Sequence, residues 1–402
     1  MLRASGPLAR ELRRALPTRP FHVRFWDGAG VEATVAQAPT FSFRRPAGLA
    51  HFLRSPGPLG LGRAYVDGSL SVDDLDAAFI VVDHWEPPPL SRADRLRLGV
   101  AVVAAAATGG LPRRPSLELI LRGELHSVER DAAAVRYHYD VGNDFFALFL
   151  DESMTYSCAL FSTGAQTLEQ AQRAKLDLVA TKLALAPGMR VLDVGCGWGS
   201  FAIHAAEHYG VTVTGVTLSA AQAELARAKV LEAGLGERVE IRVADYRHLA
   251  HGSFDAIASI GMAEHVGQSR IDLYARSLFS LLRPGGQLLN HAIAVLDPED
   301  DPLEDLFSMR YVFPDGEPLL LSRVQLALER AGFHSEHVEG FREDYAITLR
   351  HWAARLDENI ERAEALAGPE RTRVWRLYLS AARHSFDTGL AAVYQIRARR
   401  PG

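Results

Sequence analysis

Between residues 168 and 260 the sequence switches repeatedly between two hydrophobic periods, and this switching restricts the fold more than any other feature. Residues 170–185 carry apolar positions at helical spacing, and residues 189–194 form a short apolar run. The pair then recurs: helix 200–209 and strand 211–217, then helix 220–233 and strand 239–243, followed by a further strand at 254–260. Strands that alternate with helices of this length make βαβ units, which build a parallel sheet with helices on both faces. The pattern predicts a doubly wound α/β domain.

The first of these strands runs into Val191-Leu-Asp-Val-Gly-Cys-Gly-Trp-Gly-Ser. Three glycines at alternate positions let the backbone turn tightly into the next helix and leave room for a ligand to touch the main chain. In an open parallel sheet that ligand sits just beyond the carboxyl ends of the strands. The spacing is Gly-x-Gly-x-Gly, so it is not the dinucleotide Gly-x-Gly-x-x-Gly, and no Gly-Lys-Ser/Thr follows to make a P-loop. The pattern resembles the first motif of S-adenosylmethionine-dependent methyltransferases, which makes Asp193, Gly195 and Gly197 candidate cofactor residues. The second strand ends in Thr217-Leu218, where many such enzymes carry an acid for the ribose hydroxyls. The Thr217 hydroxyl and the Gln222 amide can make similar hydrogen bonds. The third strand ends at Asp245-Tyr246, placing a carboxylate to accept from an adenine amino group and a ring to pack on the base.

Outside this region the chain has other textures. Residues 1–20 hold five arginines and one glutamate, with Leu8, Leu12 and Leu16 at helical spacing. That segment reads either as a basic amphipathic helix on an anionic bilayer or as a docking helix with a solvated basic face. Residues 21–115 read as a small α+β domain with a helical linker. A hairpin is expected around Asp27-Gly-Ala-Gly, a third strand at Phe41-Ser-Phe-Arg, and a glycine-rich turn region from Leu59 to Gly68. Glu86-Pro-Pro-Pro-Leu is a stiff connector, and helix is expected over 91–109. Residues 116–402 form the larger domain, with the last sixty residues mostly helical around Trp352, Trp375 and Tyr378.

The 402 residues carry 44 Lys+Arg against 49 Asp+Glu, a net charge of −5, so no global field points to nucleic acid. No run of about 18 apolar residues is present to span a membrane, and the arginine-bearing N-terminus lacks the apolar core of a signal peptide. A cytoplasmic protein is expected. Two cysteines, Cys158 and Cys196, make neither a disulfide framework nor a metal site, and no metal is expected.

Further segments go beyond a generic methyltransferase: Tyr137-His-Tyr-Asp through Tyr156-Ser-Cys-Ala-Leu-Phe, Gly261-Met-Ala-Glu-His-Val-Gly, Asn290-His-Ala-Ile, Tyr311-Val-Phe-Pro-Asp-Gly and Asp344-Tyr-Ala-Ile-Thr-Leu-Arg-His-Trp. Together they resemble the cyclopropane-fatty-acyl-phospholipid synthase family, which includes the mycolic acid cyclopropane synthases. The resemblance is close over about 130–400 and looser over 20–85. It implies a Rossmann-like methyltransferase domain with a mostly parallel seven-stranded sheet beside a smaller N-terminal domain. It implies S-adenosylmethionine as methyl donor, covered by Tyr156 and Ser157, and the cis double bond of a phospholipid acyl chain as acceptor. Methyl transfer leaves a carbocation, and a base must then take a proton from the new methyl to close a ring. Family members hold bicarbonate as that base, and by motif position its ligands are Glu264, His291, Tyr345 and the main chain around Cys158 and Ile293. Aromatics gather ahead of the sheet (Tyr137, Tyr139, Phe145, Phe146, Tyr156, Phe161), most of them expected as core.

The chain departs from the family at His291-Ala292-Ile293-Ala294, where synthases commonly read His-Thr-Ile-Gly, and at the acidic stretch 297–305. From the same cation a hydride shift before proton loss gives an exocyclic methylene, so the product stays open between a cyclopropane and a 10-methylene chain. A methyltransferase of a soluble small molecule and a lipid carrier with an inactive cofactor site are the competing readings. Peripheral contact with an anionic membrane surface is expected, as is a homodimer.

Overall fold

Val191 and Leu192 are adjacent in the chain, yet each is wholly buried in a different hydrophobic core. Successive strand side chains point to opposite faces, so a strand with apolar residues at successive positions must be covered on both sides. The protein is described from a computed structural model, which covers every residue except 1–3, 111, 113, 120, 122, 140, 253 and 298–305. The acidic stretch 297–305 therefore lies almost wholly outside the described residues. Two compact units are present: Met1–Leu119 with Ala367–His384, and Ile120–Leu366 with Ser385–Gly402. The expected split at 115/116 thus needs correcting, because a piece of the C-terminal helical region packs with the N-terminal unit.

The first unit contains α1 (Gly6–Ala15), β1 (His22–Phe25), β2 (Gly30–Val31), β3 (Thr40–Phe43), α2 (Ala47–Arg54), α3 (Pro58–Val66), β4 (Leu70–Val72), α4 (Leu75–His84) and α5 (Arg92–Ala106). Its four-stranded sheet has the order β2-β1-β3-β4. The hairpin forms as expected, although its second strand is only two residues long. The basic N-terminal segment is a docked helix, since Leu8 is buried and Leu12 packs against the same core as Val23, Phe25 and Val31. Those leucines are therefore not available to insert into a bilayer.

Residues 58–66 correct a second expectation, because they form a helix where the glycines suggested a turn. Gly60 explains why. A Cβ there would run into the backbone carbonyls of Ser55 and His51, so glycine lets α2 and α3 approach closely. Ser91 caps α5 with a reciprocal capping box to Asp94.

The second unit contains α6 (Val128–Tyr139), α7 (Asn143–Phe146), α8 (Leu168–Lys182), β5 (Arg190–Val194), α9 (Ser200–Tyr209), β6 (Thr212–Thr217), α10 (Ala220–Glu232), β7 (Val239–Val243), β8 (Phe254–Ile260), α11 (Ala263–Val266), α12 (Ile271–Leu281), β9 (Leu282–Val295), α13 (Leu306–Tyr311), α14 (Leu321–Ala331), β10 (His334–Gly340) and α15 (Arg342–Glu358). The long helix α16 (Ile360–Thr388) is shared by both units and kinks at Gly368, and β11 (Ala391–Arg399) returns to the second. The sheet order is β10-β11-β9-β8-β5-β6-β7, with β5 to β9 parallel and β10 and β11 antiparallel additions. One face is covered by α8, α9 and α10 and the other by α12 and α14.

The expected doubly wound sheet is present, and its strand order reverses between β5 and β8. The switch opens a crevice at their carboxyl ends. β11 was not expected, since the C-terminal region reads as helical. It runs between β9 and β10 with Val393, Ile396 and Ala398 buried.

Candidate active site

A cavity lies at that crevice, enclosing about 1280 Å³ of space that opens in part to solvent. Its wall is made by four strand ends in turn: Asp193–Gly197 after β5, Val216–Leu218 with Gln222 after β6, Ala244–Arg247 after β7, and Ile260–Met262 after β8. The covering segment Met154–Ser157 and residues Tyr139, Lys175 and Trp198 line it as well. All ten sequence-assigned cofactor residues (Tyr156, Ser157, Asp193, Gly195, Gly197, Thr217, Leu218, Gln222, Asp245, Tyr246) line this one cavity.

The glycine turn works as its spacing implied. Gly195 and Gly197 have φ of +75° and +53°, and a Cβ on Gly195 would strike the Met262 side chain. A Cβ on Gly197 would meet nothing within 4 Å, so that backbone faces open space. Cys196 packs against Gly215, where a Cβ would come within 3.0 Å of its sulfur, which makes Cys196 a structural residue. Thr217 Oγ1 donates to Gln222 Oε1 at 2.7 Å, so the two expected ribose partners are already joined in one polar group. Asp245 is not a lone carboxylate. Arg247 grips it bidentately through Nε and Nη2 and donates to it through its backbone N–H, and against burial these bonds hold its pKa below the usual range. Tyr246 is buried beside Tyr274 in an edge-to-face contact.

The opposite wall carries a buried polar cluster. Lys175 Nζ donates to Ser157 Oγ at 2.8 Å, and Gln172 Nε2 donates to the Ser157 carbonyl at 2.9 Å. Burial lowers the Lys175 pKa to about 8 and raises that of Asp193 to about 7, against the pull of Lys175 on the latter. Asp193 Oδ2 has no hydrogen-bond partner. A buried, unsatisfied carboxylate oxygen beside a cation and an open backbone turn suits a zwitterionic amino-acid group, which S-adenosylmethionine carries. Tyr139 and Tyr156 add aromatic faces at the same wall, and a π-face stabilises a cation within about 6 Å. Phe145 and Phe146 are core, and Phe161 stacks on His351 at 5.0 Å.

None of the five residues assigned to the reaction is among those lining this cavity. Glu264 sits on α11, three residues past Gly261, whose N–H donates to the His291 carbonyl at 2.8 Å. The Glu264 carboxylate accepts from its own backbone and from that of Ile293, while Oε2 is buried with no hydrogen-bond partner. Burial pushes its pKa up to about 7. His291 is buried on β9, and burial, with Lys175 and Lys182 adding to it, lowers its pKa to about 3. Cys158 and Tyr345 meet at the Phe341 carbonyl, which accepts from Cys158 Sγ at 3.7 Å and from Tyr345 N at 3.0 Å. Burial drives the Cys158 thiol well above its ordinary pKa, so it is no nucleophile. Glu264 is thus linked to Ile293 through a backbone donor, with His291 bonded to the nearby Gly261, while Cys158 and Tyr345 share the Phe341 carbonyl.

Residues 126–396 match the family model for mycolic acid cyclopropane synthetase. The chain belongs to that family. It is 38% identical to a probable fatty acid methyltransferase of Mycobacterium tuberculosis, over 97% of this chain and 93% of that one. It is also 38% identical to the cyclopropane-fatty-acyl-phospholipid synthase of Escherichia coli K12, over 75% and 72%. The crystal structure of the mycolic acid cyclopropane synthase CmaA1, complexed with SAH and CTAB, is similar at 35% identity and a TM-score of 0.63, covering 67% of this chain and 98% of that one. The chain is therefore an S-adenosylmethionine-dependent methyltransferase of the cyclopropane synthase family.

Sequence reading of this family member missed Lys175, Gln172, Tyr139 as a wall residue, Lys182 and Gln395. A signal for three of them existed. Gln172, Lys175 and Lys182 fall on the same face of α8 as Leu168, Leu176 and Val179, and a polar residue on an apolar stripe is a buried one. His126 and His265 also line the cavity unannounced. Burial lowers the His265 pKa to about 4, whereas for His126 the nearby Asp131 and Glu317 outweigh burial and raise it to about 9.

Proposed function

We propose that this enzyme adds a one-carbon unit to the cis double bond of an unsaturated phospholipid acyl chain and forms a cyclopropane. The observation that carries this reading is Glu264: a buried carboxylate with one unpartnered oxygen and a pKa near 7, accepting from the Ile293 backbone. Methylation of a nitrogen or oxygen nucleophile sheds a heteroatom-bound proton that water can take, whereas the carbocation left by alkene methylation must lose a carbon-bound proton to a base held where water cannot capture the cation. Bound S-adenosylmethionine supplies an electrophilic sulfonium methyl. Tyr139 and Tyr156 offer aromatic faces to the cationic charge as it moves from sulfur to carbon. Bicarbonate would be held by Glu264, His291, Tyr345, Cys158 and Ile293 and would supply the base, and the unpartnered Glu264 Oε2 suits it. Near neutral pH Glu264 is poised between donor and acceptor, which favours moving a proton at that atom.

A second reading, the 10-methylene product, is favoured by one observation. A relative that matches over nearly the whole chain is named a probable fatty acid methyltransferase, not a synthase.

Substrate in a bilayer implies contact with its surface. No helix among the described residues is long and apolar enough to cross a membrane. On α5, however, Leu96, Val100 and Val103 stand 69%, 61% and 54% exposed, one helical turn apart, and Arg92, Arg95 and Arg97 flank them. Apolar side chains beside arginines fit an anionic phospholipid surface, and this face replaces the N-terminal leucines as the proposed contact.

Lipid mass spectrometry on a host that supplies oleoyl phospholipids and expresses the enzyme tests the proposal. An acyl chain heavier by one CH₂ and resistant to mild hydrogenation is expected. A heavier chain that takes up hydrogen selects the methylene, and no mass change with cofactor binding intact removes the acyl acceptor.

A further inference from the structure

Three residues of the C-terminal half of the sheet stand opposite one another across neighbouring antiparallel strands. Glu339 on β10 pairs with Gln395 on β11, and Gln395 pairs with His291 on β9. Lys182, near the end of α8, reaches this row. Its Nζ donates to Glu339 Oε2 at 2.5 Å and to Gln395 Oε1 at 2.7 Å, and lies 4.9 Å from the centre of the Phe341 ring. Gln395 Nε2 in turn lies 3.2 Å from His291 Nδ1. Gln395 and His291 are 1% and 2% exposed, so neither exchanges these bonds for water.

The chemistry of the donors leaves one arrangement. An ammonium group has only donors, so the amide oxygen of Gln395 must face Lys182. The amide nitrogen then faces the imidazole, and an NH₂ group also has only donors. His291 Nδ1 must therefore present its lone pair. We propose that Lys182 and Gln395 act as positioning residues that hold His291 as the neutral tautomer with its proton on Nε2. A second proton on Nδ1 would set N–H against NH₂ in a buried place, so the ring is barred from becoming imidazolium by geometry. The same charge of Lys182 opposes protonation from a distance.

For the reaction proposed above, on which this consequence rests, His291 is a fixed hydrogen-bond donor and not a carrier of the proton lost from the methyl group. Of Glu264 and His291, that leaves Glu264 as the one that changes protonation near neutrality. The tautomer itself does not depend on what the substrate is.

The test uses the full-length enzyme labelled with ¹⁵N-histidine, with long-range ¹H–¹⁵N correlation spectra and the His291→Gln variant to assign the signal. The Nε2–H pattern is expected, unchanged between pH 5.5 and 8. Gln395→Glu, whose carboxylate accepts from both Lys182 and Nδ1–H, is expected to switch the ring to the Nδ1–H or imidazolium form. Should that variant not fold, Lys182→Met serves, since it frees the amide to turn over and gives mixed tautomers, with Lys182→Arg restoring the single form. In acyl methylation Lys182→Met is expected to lower kcat about tenfold with little change in KM for S-adenosylmethionine, which is the fold-change of one lost donor of about 1.4 kcal/mol. An Nδ1–H pattern in the wild type, a titration near the ordinary histidine pKa of about 6.5, or an unchanged tautomer in both variants overturns the proposal. A host that makes no modified lipid while the tautomer switches as described would overturn the acyl reading alone.

Discussion

Replacing Glu264 by glutamine should make the protein more stable and the enzyme slower, and the stability gain should depend on pH in a defined way. The carboxyl pKa rises from 4.5 to about 7 on folding because burial disfavours its charge. The folded state therefore binds more protons than the unfolded state between these values, and stability falls as pH climbs through the interval. At about 1.4 kcal/mol per pKa unit, the full cost of the ionised group is on the order of 3 kcal/mol above pH 7 and vanishes below about pH 4.5. Glutamine keeps the shape without the charge, but its NH₂ also needs a partner beside Oε2, which offsets part of the gain. A net increase of about 1–3 kcal/mol at pH 8 is expected, shrinking toward zero at pH 4.5. Urea unfolding of the two proteins at a series of pH values measures it, and calorimetric titration with S-adenosylmethionine checks that cofactor binding survives. Acyl methylation should fall by at least about a hundredfold, within the range that general acid–base groups contribute. A variant less stable than wild type at pH 8, or a stability difference that does not vary with pH, would refute the assignment of a strained, functional carboxylate.

Other changes should report on the cofactor site and the proposed membrane face. Gly197→Ala should cost about 1 kcal/mol in stability because of its positive φ, while weakening S-adenosylmethionine binding more than tenfold as the new methyl enters the open space. Equal affinity in a calorimetric titration would separate that turn from the cofactor. Gly60→Ala, which would stabilise an ordinary helix by up to about 1 kcal/mol, should instead destabilise by about 2 kcal/mol through its clash with the Ser55 and His51 carbonyls. A raised urea midpoint would contradict that packing. Leu96→Asp with Val100→Asp should reduce co-sedimentation with anionic phospholipid vesicles and leave cofactor affinity unchanged. Undiminished co-sedimentation would move the membrane contact elsewhere.

Much of the site was legible before any coordinates, and the reason is local. A strand end, a tight turn and a helix start are specified by residues next to one another, so Val191 to Ser200 announces its own conformation and its open side. The strand ends at Thr217 and Asp245 follow from the same periodicity, and all ten residues assigned to the cofactor line one cavity. Other features depend on partners distant in sequence or in another element. Gly60 reads as part of a turn because its reason for being glycine lies in the backbone at and just after α2. Residues 391–399 find their place as an inner strand only because β9 and β10 leave a slot between them. Asp245 looked like an unengaged acceptor until Arg247 was seen to hold it. The sequence alone determined the doubly wound sheet and the residues at its strand ends, because hydrophobic period and turn chemistry are properties of neighbouring residues. Only the tertiary structure decided the charge state of Glu264 and the hydrogen-bond row from Lys182 through Gln395 to His291, because burial and cross-strand register arise when segments more than a hundred residues apart close on each other.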